Sequence, residues 1–200
     1  MKKKWIGILM IAIGAAIILA ALSMRYKASK VQRIMIEDFK KNIQMVDKQL
    51  GSNESTKIDD KKPSEDKQGT IGIISIPKIE LNVALSEGVD VGTLKYAVGH
   101  FAGTPMPGDK GNFCVAGHRS YAYNEYFNRL DELVIGDKIT VTTMSGEFTY
   151  EVYDSKVVRP EETSVLDNTE RSEITLVTCT PIRVATHRLI IKGKRIVNMQ

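Results

Sequence analysis

The 200-residue chain contains two cysteines and three histidines, so few side chains can act as strong nucleophiles or general bases near neutral pH. Cys179 stands in Thr175-Leu176-Val177-Thr178-Cys179-Thr180-Pro181, where an apolar, strand-like run meets a proline-containing loop. His118 stands at the end of a similar run, Asn112-Phe113-Cys114-Val115-Ala116-Gly117-His118. A thiol and an imidazole far apart in sequence can meet in the fold as a nucleophile and its proton-transfer partner. An imidazolium beside the thiol favours the thiolate, and a thiolate attacks carbonyl carbon. The chemistry this points to is acyl transfer through a covalent intermediate.

The other candidates have plainer readings. Cys114 precedes His118 by four residues and so shares its face of an extended strand; it reads as a small buried residue near the site. A Cys114–Cys179 disulfide is the alternative, permitted outside the cell and blocking the nucleophile. His187 reads as structural. His100, in Val98-Gly99-His100-Phe101, reads as a packing or hydrogen-bonding residue in a loop. A zinc site drawn from these residues lacks CxxC or HxxxH spacing.

The elements that must position the pair read as β-structure. Apolar or alternating segments occur at 71–76, 81–85, 112–117, 138–143, 148–158, 174–178 and 189–192. Met144-Ser145-Gly146-Glu147 makes a hairpin turn, and short helical turns fit at 91–96, 121–130 and 163–167. Many short strands between turn signals predict a closed or nearly closed barrel.

Ahead of this domain the chain is organised differently. Residues 1–4 form a short basic tail, read as cytoplasmic. An unbroken apolar run, WIGILMIAIGAAIILAAL, opens a transmembrane segment over 5–23. Its 18 residues span about 27 Å as a helix, close to a hydrocarbon core. A cleaved signal peptide is the rival reading, but signal h-regions run only about 7–15 residues. Residues 24–50 predict an amphipathic stalk helix, with Val31, Ile34, Met35, Phe39, Ile43, Val46 and Leu50 at three- and four-residue steps. Residues 51–69 are polar and read as a flexible linker. The folded domain takes 70–200. Lys2, Lys3 and Lys4 before the span nearly balance Arg25, Lys27, Lys30 and Arg33 after it, so charge alone leaves the orientation open. A net charge of +4, with no basic stripe interleaved with aromatics, gives no support to nucleic-acid binding.

Taken in order, the T-L-x-T-C stretch at Thr175–Cys179, the A-G-H stretch at Ala116–His118 and the arginine of Thr186-His187-Arg188-Leu189 resemble the signatures of the sortase family. Ile74-Ser75-Ile76-Pro77, Gly103-Thr104-Pro105-Met106-Pro107-Gly108 and Val165-Leu166-Asp167 resemble the flanking segments of that family, across nearly all of 70–198. The resemblance implies a mainly β fold, a closed eight-stranded barrel with short helices. It also implies a cysteine transpeptidase that cleaves an LPxTG-like sorting signal through a thioacyl enzyme and passes the protein to a peptidoglycan precursor or other amine. Its catalytic set would be Cys179, His118 and Arg188, with Arg119 and Arg183 as nearby alternatives for the arginine. Ala116, Val165, Leu166, Val177 and Thr178 would be its substrate-binding residues. Such substrates are extracellular, so the same resemblance implies a single-pass cell-membrane protein, N-terminus inside.

Departures narrow the type. The loop before the histidine strand carries only Asp109, and Asn168 follows Asp167, so no cofactor is implied and a stimulatory divalent cation has no support. The absence of a D-P-aromatic lid motif and of a long insertion at 159–173 makes class D the best match, with class E or A next. Two alternatives remain: a membrane-anchored extracellular cysteine protease that only hydrolyses, and a non-catalytic β-domain on the same frame.

Overall fold

The computed structural model describes residues 2–51, 69–119 and 126–197. Apart from its end residues, the linker expected over 51–69 lies outside them, as does the first half of the helical turn expected at 121–130.

Eight strands close into one barrel: β1 (Thr70–Ile76), β2 (Leu81–Glu87), β3 (Val98–His100), β4 (Gly111–Ala116), β5 (Lys138–Thr143), β6 (Gly146–Val158), β7 (Ser172–Thr180) and β8 (His187–Ile196). Around the barrel they run β1-β2-β3-β4-β7-β8-β6-β5. The pairs β2–β3 and β4–β7 are parallel; the other pairings are antiparallel. Alternation along each strand decides which side chains face inward. Ile74 and Ile76, Val83 and Leu85, Phe113 and Val115, Ile139 and Val141, Tyr150 and Val152, Ile174 and Leu176, and Leu189 and Ile191 meet in one core. Each such side chain, fully buried, contributes about 1.5–3 kcal/mol of transfer free energy. A one-residue slip of any strand would turn that set outward, so the register is strongly specified.

Of residues 98–101, expected as a loop, Val98–His100 form β3. Three residues are too few to show alternation, yet this strand bridges β2 to β4 through the Leu85–Val98 and Gly99–Ala116 pairs, closing the barrel. On the outer face of β4 and β7, Asn112, Cys114 and Thr175 are also fully buried. The single turn Thr163–Leu166 and the residues after it lie across them, held by hydrogen bonds from Asn112.

The expected anchor and stalk are one continuous helix, α1 (Lys2–Gly51). No proline or C-cap signal interrupts it, and Ser23 satisfies its hydroxyl on the Ala20 carbonyl 2.9 Å away. Its apolar first part is exposed, with Trp5 at 72% and Ile11 at 74%, and is long and apolar enough to cross a membrane. Farther along, α1 lies on the barrel: Ala28 and Phe39 are buried, and Gln32 Nε2 donates to the Asn82 carbonyl of β2 at 3.1 Å. The sticky face read from the sequence is thus partly covered by the chain's own β-domain.

Candidate active site

β4, β7 and β8 are neighbours in the barrel, and their register brings three side chains to one level. Cys179 is paired directly with Arg188 across β7 and β8, which puts both side chains on the same face. Ala116 is paired with Val177 across the parallel β4 and β7. Two residues beyond that pair, the backbone bond from Gly117 N to Val177 O (3.1 Å) carries the register on and brings His118 level with Cys179. Neighbouring strands lie about 4.8 Å apart, so Cys179 and Arg188 stand side by side on β7 and β8, with His118 two residues past the end of β4. They sit on the outer face: His118 is exposed, Cys179 and Arg188 half-buried. Phe113, Val115, Leu176 and Leu189, which alternate with them, face the core.

The backbone around this row is fastened from beneath. Thr178, one residue before the thiol, donates from Oγ1 to the Gly117 carbonyl at 2.7 Å. Thr180, one residue after it, accepts from Arg119 Nη1 at 2.8 Å. Arg119 is 93% buried; its Nη2 reaches Asp131 Oδ1 at 2.7 Å and its Nε donates to the Asn128 carbonyl at 3.2 Å. The Phe127 amide donates to the His118 carbonyl at 3.2 Å. Gly117 has no room for a side chain, since a Cβ would lie 2.5 Å from the buried ring of Phe127. Arg188 Nη1 donates to the carbonyls of Ala185 (3.2 Å) and His187 (3.1 Å). The guanidinium is therefore tied to the backbone of its own strand end and the loop before it.

The five residues expected along the substrate path divide. Ala116 and Val177 are half-buried on the face of the His118–Cys179 pair, one alternation back from it. Leu166 is half-buried and, with Gly103, Thr104, Pro105 and Asn168, lines a cavity of about 340 Å³. Val165 is 5% exposed and its carbonyl accepts from Asn112, so it packs beneath this surface. Thr178 is buried on the face opposite Cys179, its hydroxyl committed to Gly117.

Cys114 is fully buried on the outer face of β4, and burial pushes its thiol up to about 12. Both cysteines are free. Cys114 is paired with Thr175, four residues short of Cys179 on the same strand, a separation of about 13 Å along β7 and too far for a disulfide. His100 is buried, its Nδ1 2.7 Å from Glu87 Oε2, its Nε2 2.9 Å from Thr104 Oγ1 and its ring tilted against Phe113. Thr104 Oγ1 in turn accepts from the Cys114 amide at 3.3 Å. His187 is exposed and its Nδ1 meets Thr186 Oγ1 at 3.0 Å.

Sequence reading passed over two residues that shape this surface. Asn112 Nδ2 donates to the Val165 and Asp167 carbonyls, both at 3.1 Å, and its Oδ1 accepts from Thr175 Oγ1 at 2.7 Å. Arg119, an alternative for the site arginine in sequence, is buried. A polar residue inside an otherwise apolar strand was the one signal for Asn112; for Arg119 there was none short of its partners.

Comparison with known proteins extends the likeness beyond these residues. The Sortase domain family matches residues 74–196, more than half of the chain. Sortase D of Bacillus subtilis is 36% identical over 129 residues, which are 62% of this chain and 63% of that relative's length. Sortase A of Listeria monocytogenes is 28% identical over 85% of this chain and 74% of its own. The solved structure of a Clostridium perfringens Sortase D5 transpeptidase superposes with a TM-score of 0.68 at 32% identity, covering 84% of this chain and 99% of that one. The class D likeness read from the motifs agrees with two of these three. A closed barrel that superposes on solved sortases and a family match over 74–196 make the chain a member of the sortase family.

Proposed function

We propose that this chain is a membrane-anchored transpeptidase that cleaves an LPxTG-like sorting signal and joins the released protein to an amine. The observation that supports the reading is the direct pairing of Cys179 with Arg188 across β7 and β8, with His118 two residues past the end of the neighbouring β4, beside the half-buried Ala116 and Val177.

The thiolate of Cys179 attacks the threonine carbonyl carbon of the sorting signal, and the carbonyl electrons move to oxygen. Arg188 stabilises that oxyanion or holds neighbouring substrate carbonyls with its forked donors. As the intermediate collapses, the carbon–nitrogen bond breaks, and His118 gives a proton to the departing glycine amine. A thioester to Cys179 remains. An incoming amine loses a proton to His118 and attacks the thioester, forming the new amide and releasing the thiolate. The partners are secreted proteins bearing the sorting signal and a peptidoglycan precursor or other amine acceptor. Because both are extracellular, the apolar part of α1 crosses the cell membrane with its N-terminus inside.

The test is turnover of the full chain in detergent with labelled LPxTG peptides, with and without added triglycine. Expected are a triglycine-coupled product and a Cys179 thioester seen by intact mass, both lost in Cys179→Ala. In His118→Ala the rate falls at least about 10²-fold, the lower end for removal of a positioned acid–base. Hydrolysis indifferent to triglycine would favour the protease reading, and unchanged turnover in Cys179→Ala would overturn the catalytic assignment.

A further inference from the structure

The two residues flanking Cys179 are each hydrogen-bonded to a residue flanking His118. Thr178 Oγ1 donates to the Gly117 carbonyl at 2.7 Å, and Arg119 Nη1 donates to Thr180 Oγ1 at 2.8 Å. Side chains alternate along extended backbone, so while His118 and Cys179 face outward, their neighbours meet on the opposite side. We propose that these bonds form a brace that sets the separation and aim of thiol and imidazole, with Arg119 as its positioning residue; this rests on the pairing of Cys179 with His118 proposed above.

The need for a brace follows from where the ladder stops. β4 ends at Ala116, and its last backbone link to β7 is Gly117 N to Val177 O. His118 lies beyond that link. Cys179 also lies past it but is still paired with Arg188 across β7 and β8, so strand pairing holds Cys179 better than it holds His118. Arg119 supplies what the ladder lacks. Its guanidinium bridges two pieces of chain through three partners: Thr180 at the end of β7, and Asp131 and the Asn128 carbonyl in the segment that holds the single turn Leu130–Glu132. A planar group with fixed donor directions, buried and bonded to all three, holds its own Cα in place. His118 is the adjacent residue. Burying a guanidinium is costly without such partners, which argues that this one is retained for the geometry it imposes.

This assignment goes beyond the reaction itself, since Arg119 touches no reacting atom and acts through backbone. The test uses Thr180→Val, which removes the acceptor at nearly constant volume, Thr180→Ser, which restores it, and Arg119→Gln. The readout is the pH profile of Cys179 alkylation by iodoacetamide in the full chain, counted by intact mass, with His118→Ala defining the profile of an uncoupled thiol. Thr180→Val and Arg119→Gln are expected to move the wild-type profile toward that of His118→Ala, and Thr180→Ser to return it. In peptide turnover the same variants should lose roughly 10- to 100-fold in kcat, the penalty of about 1 Å of misplacement, with KM little changed. A Thr180→Val profile superposing on wild type while His118→Ala differs would overturn the brace and leave the pairing intact. A His118→Ala profile identical to wild type would overturn the pairing and the brace with it. Thr180→Val also covers the case in which Arg119→Gln fails to fold.

Discussion

Replacing Asn112 should loosen the outer wall of the site more than any other single change on β4. Its side chain makes three hydrogen bonds from a fully buried position, to the Val165 and Asp167 carbonyls and from Thr175 Oγ1. Asn112→Ala leaves these groups without that partner beneath the Thr163–Leu166 turn. At about 1–1.5 kcal/mol per bond, the expected loss is roughly 3–5 kcal/mol. Asn112→Asp keeps the shape but turns an oxygen toward two carbonyl oxygens. Its folded-state pKa is therefore raised above an unfolded value of about 3.9. The sign follows: the ionisation penalty is absent below pH ~4, where the carboxyl is protonated in both states, and grows as pH rises toward 7. Urea unfolding should be followed by near-ultraviolet circular dichroism of the barrel tyrosines, because Trp5, the only tryptophan, lies on α1 away from the barrel. For the peptide reaction, freeing the Val165–Leu166 turn should raise KM more than it lowers kcat. The reasoning is refuted if Asn112→Ala costs less than about 1 kcal/mol, or if Asn112→Asp is equally destabilised at pH 4 and pH 7.

Two further substitutions or treatments follow from the packing. Gly117→Ala places a Cβ 2.5 Å from the Phe127 ring, which is fully buried and cannot withdraw; a stability loss of about 1–3 kcal/mol, read by urea unfolding, should accompany a fall in kcat. In the native chain at pH 8, iodoacetamide should modify one cysteine, with Cys179→Ala taking up none, because burial holds the Cys114 thiol near 12. The same shift predicts that the stabilising effect of a neutral Cys114 is complete below the unfolded thiol's pKa, about 8.5, and is lost as pH rises toward 12. A Cys114→Ala variant should therefore show a shallower alkaline decline in urea midpoint than wild type.

The buried arginine and the buried histidine make a useful contrast in how polar groups are accommodated around the site. Arg119 is satisfied by an acid, a hydroxyl and a carbonyl drawn from separate elements, and so ties those elements together. His100 is satisfied by Glu87 and Thr104, on β2 and in the β3–β4 loop, and Thr104 in turn supports the Cys114 amide on β4. One network reaches the Cys114 amide within β4, and the other starts three residues past the end of that strand. Buried polar groups left without partners would cost more than the bonds contribute, so such networks tend to be complete or absent.

Much about this protein was legible before any fold was known, because it is local. An 18-residue apolar run declares a helix able to cross a membrane whatever follows it. Two-residue alternation at 138–143 and 148–158 declares strands and their inward faces, since a strand's geometry has that period. The rarity of cysteine and histidine left few candidates for a nucleophile and its partner, and the ordered T-L-x-T-C, A-G-H and T-H-R-L stretches carried the family resemblance that implied Cys179 and His118. What tertiary structure decided is everything that depends on which strands become neighbours. Three residues, 98–100, are too short to carry a period, yet as β3 they close the barrel. The parallel pairing of β4 with β7 brings His118 level with Cys179 and separates Cys114 from it by about 13 Å, which no spacing in sequence states. In sequence Arg119 stands as an alternative for the site arginine and Thr178 as a substrate-binding residue; in the fold both side chains are buried and bonded to partners 61 residues away. Local propensity depends on neighbours along the chain, whereas a hydrogen bond across a barrel depends on register, and register is a property of the closed fold.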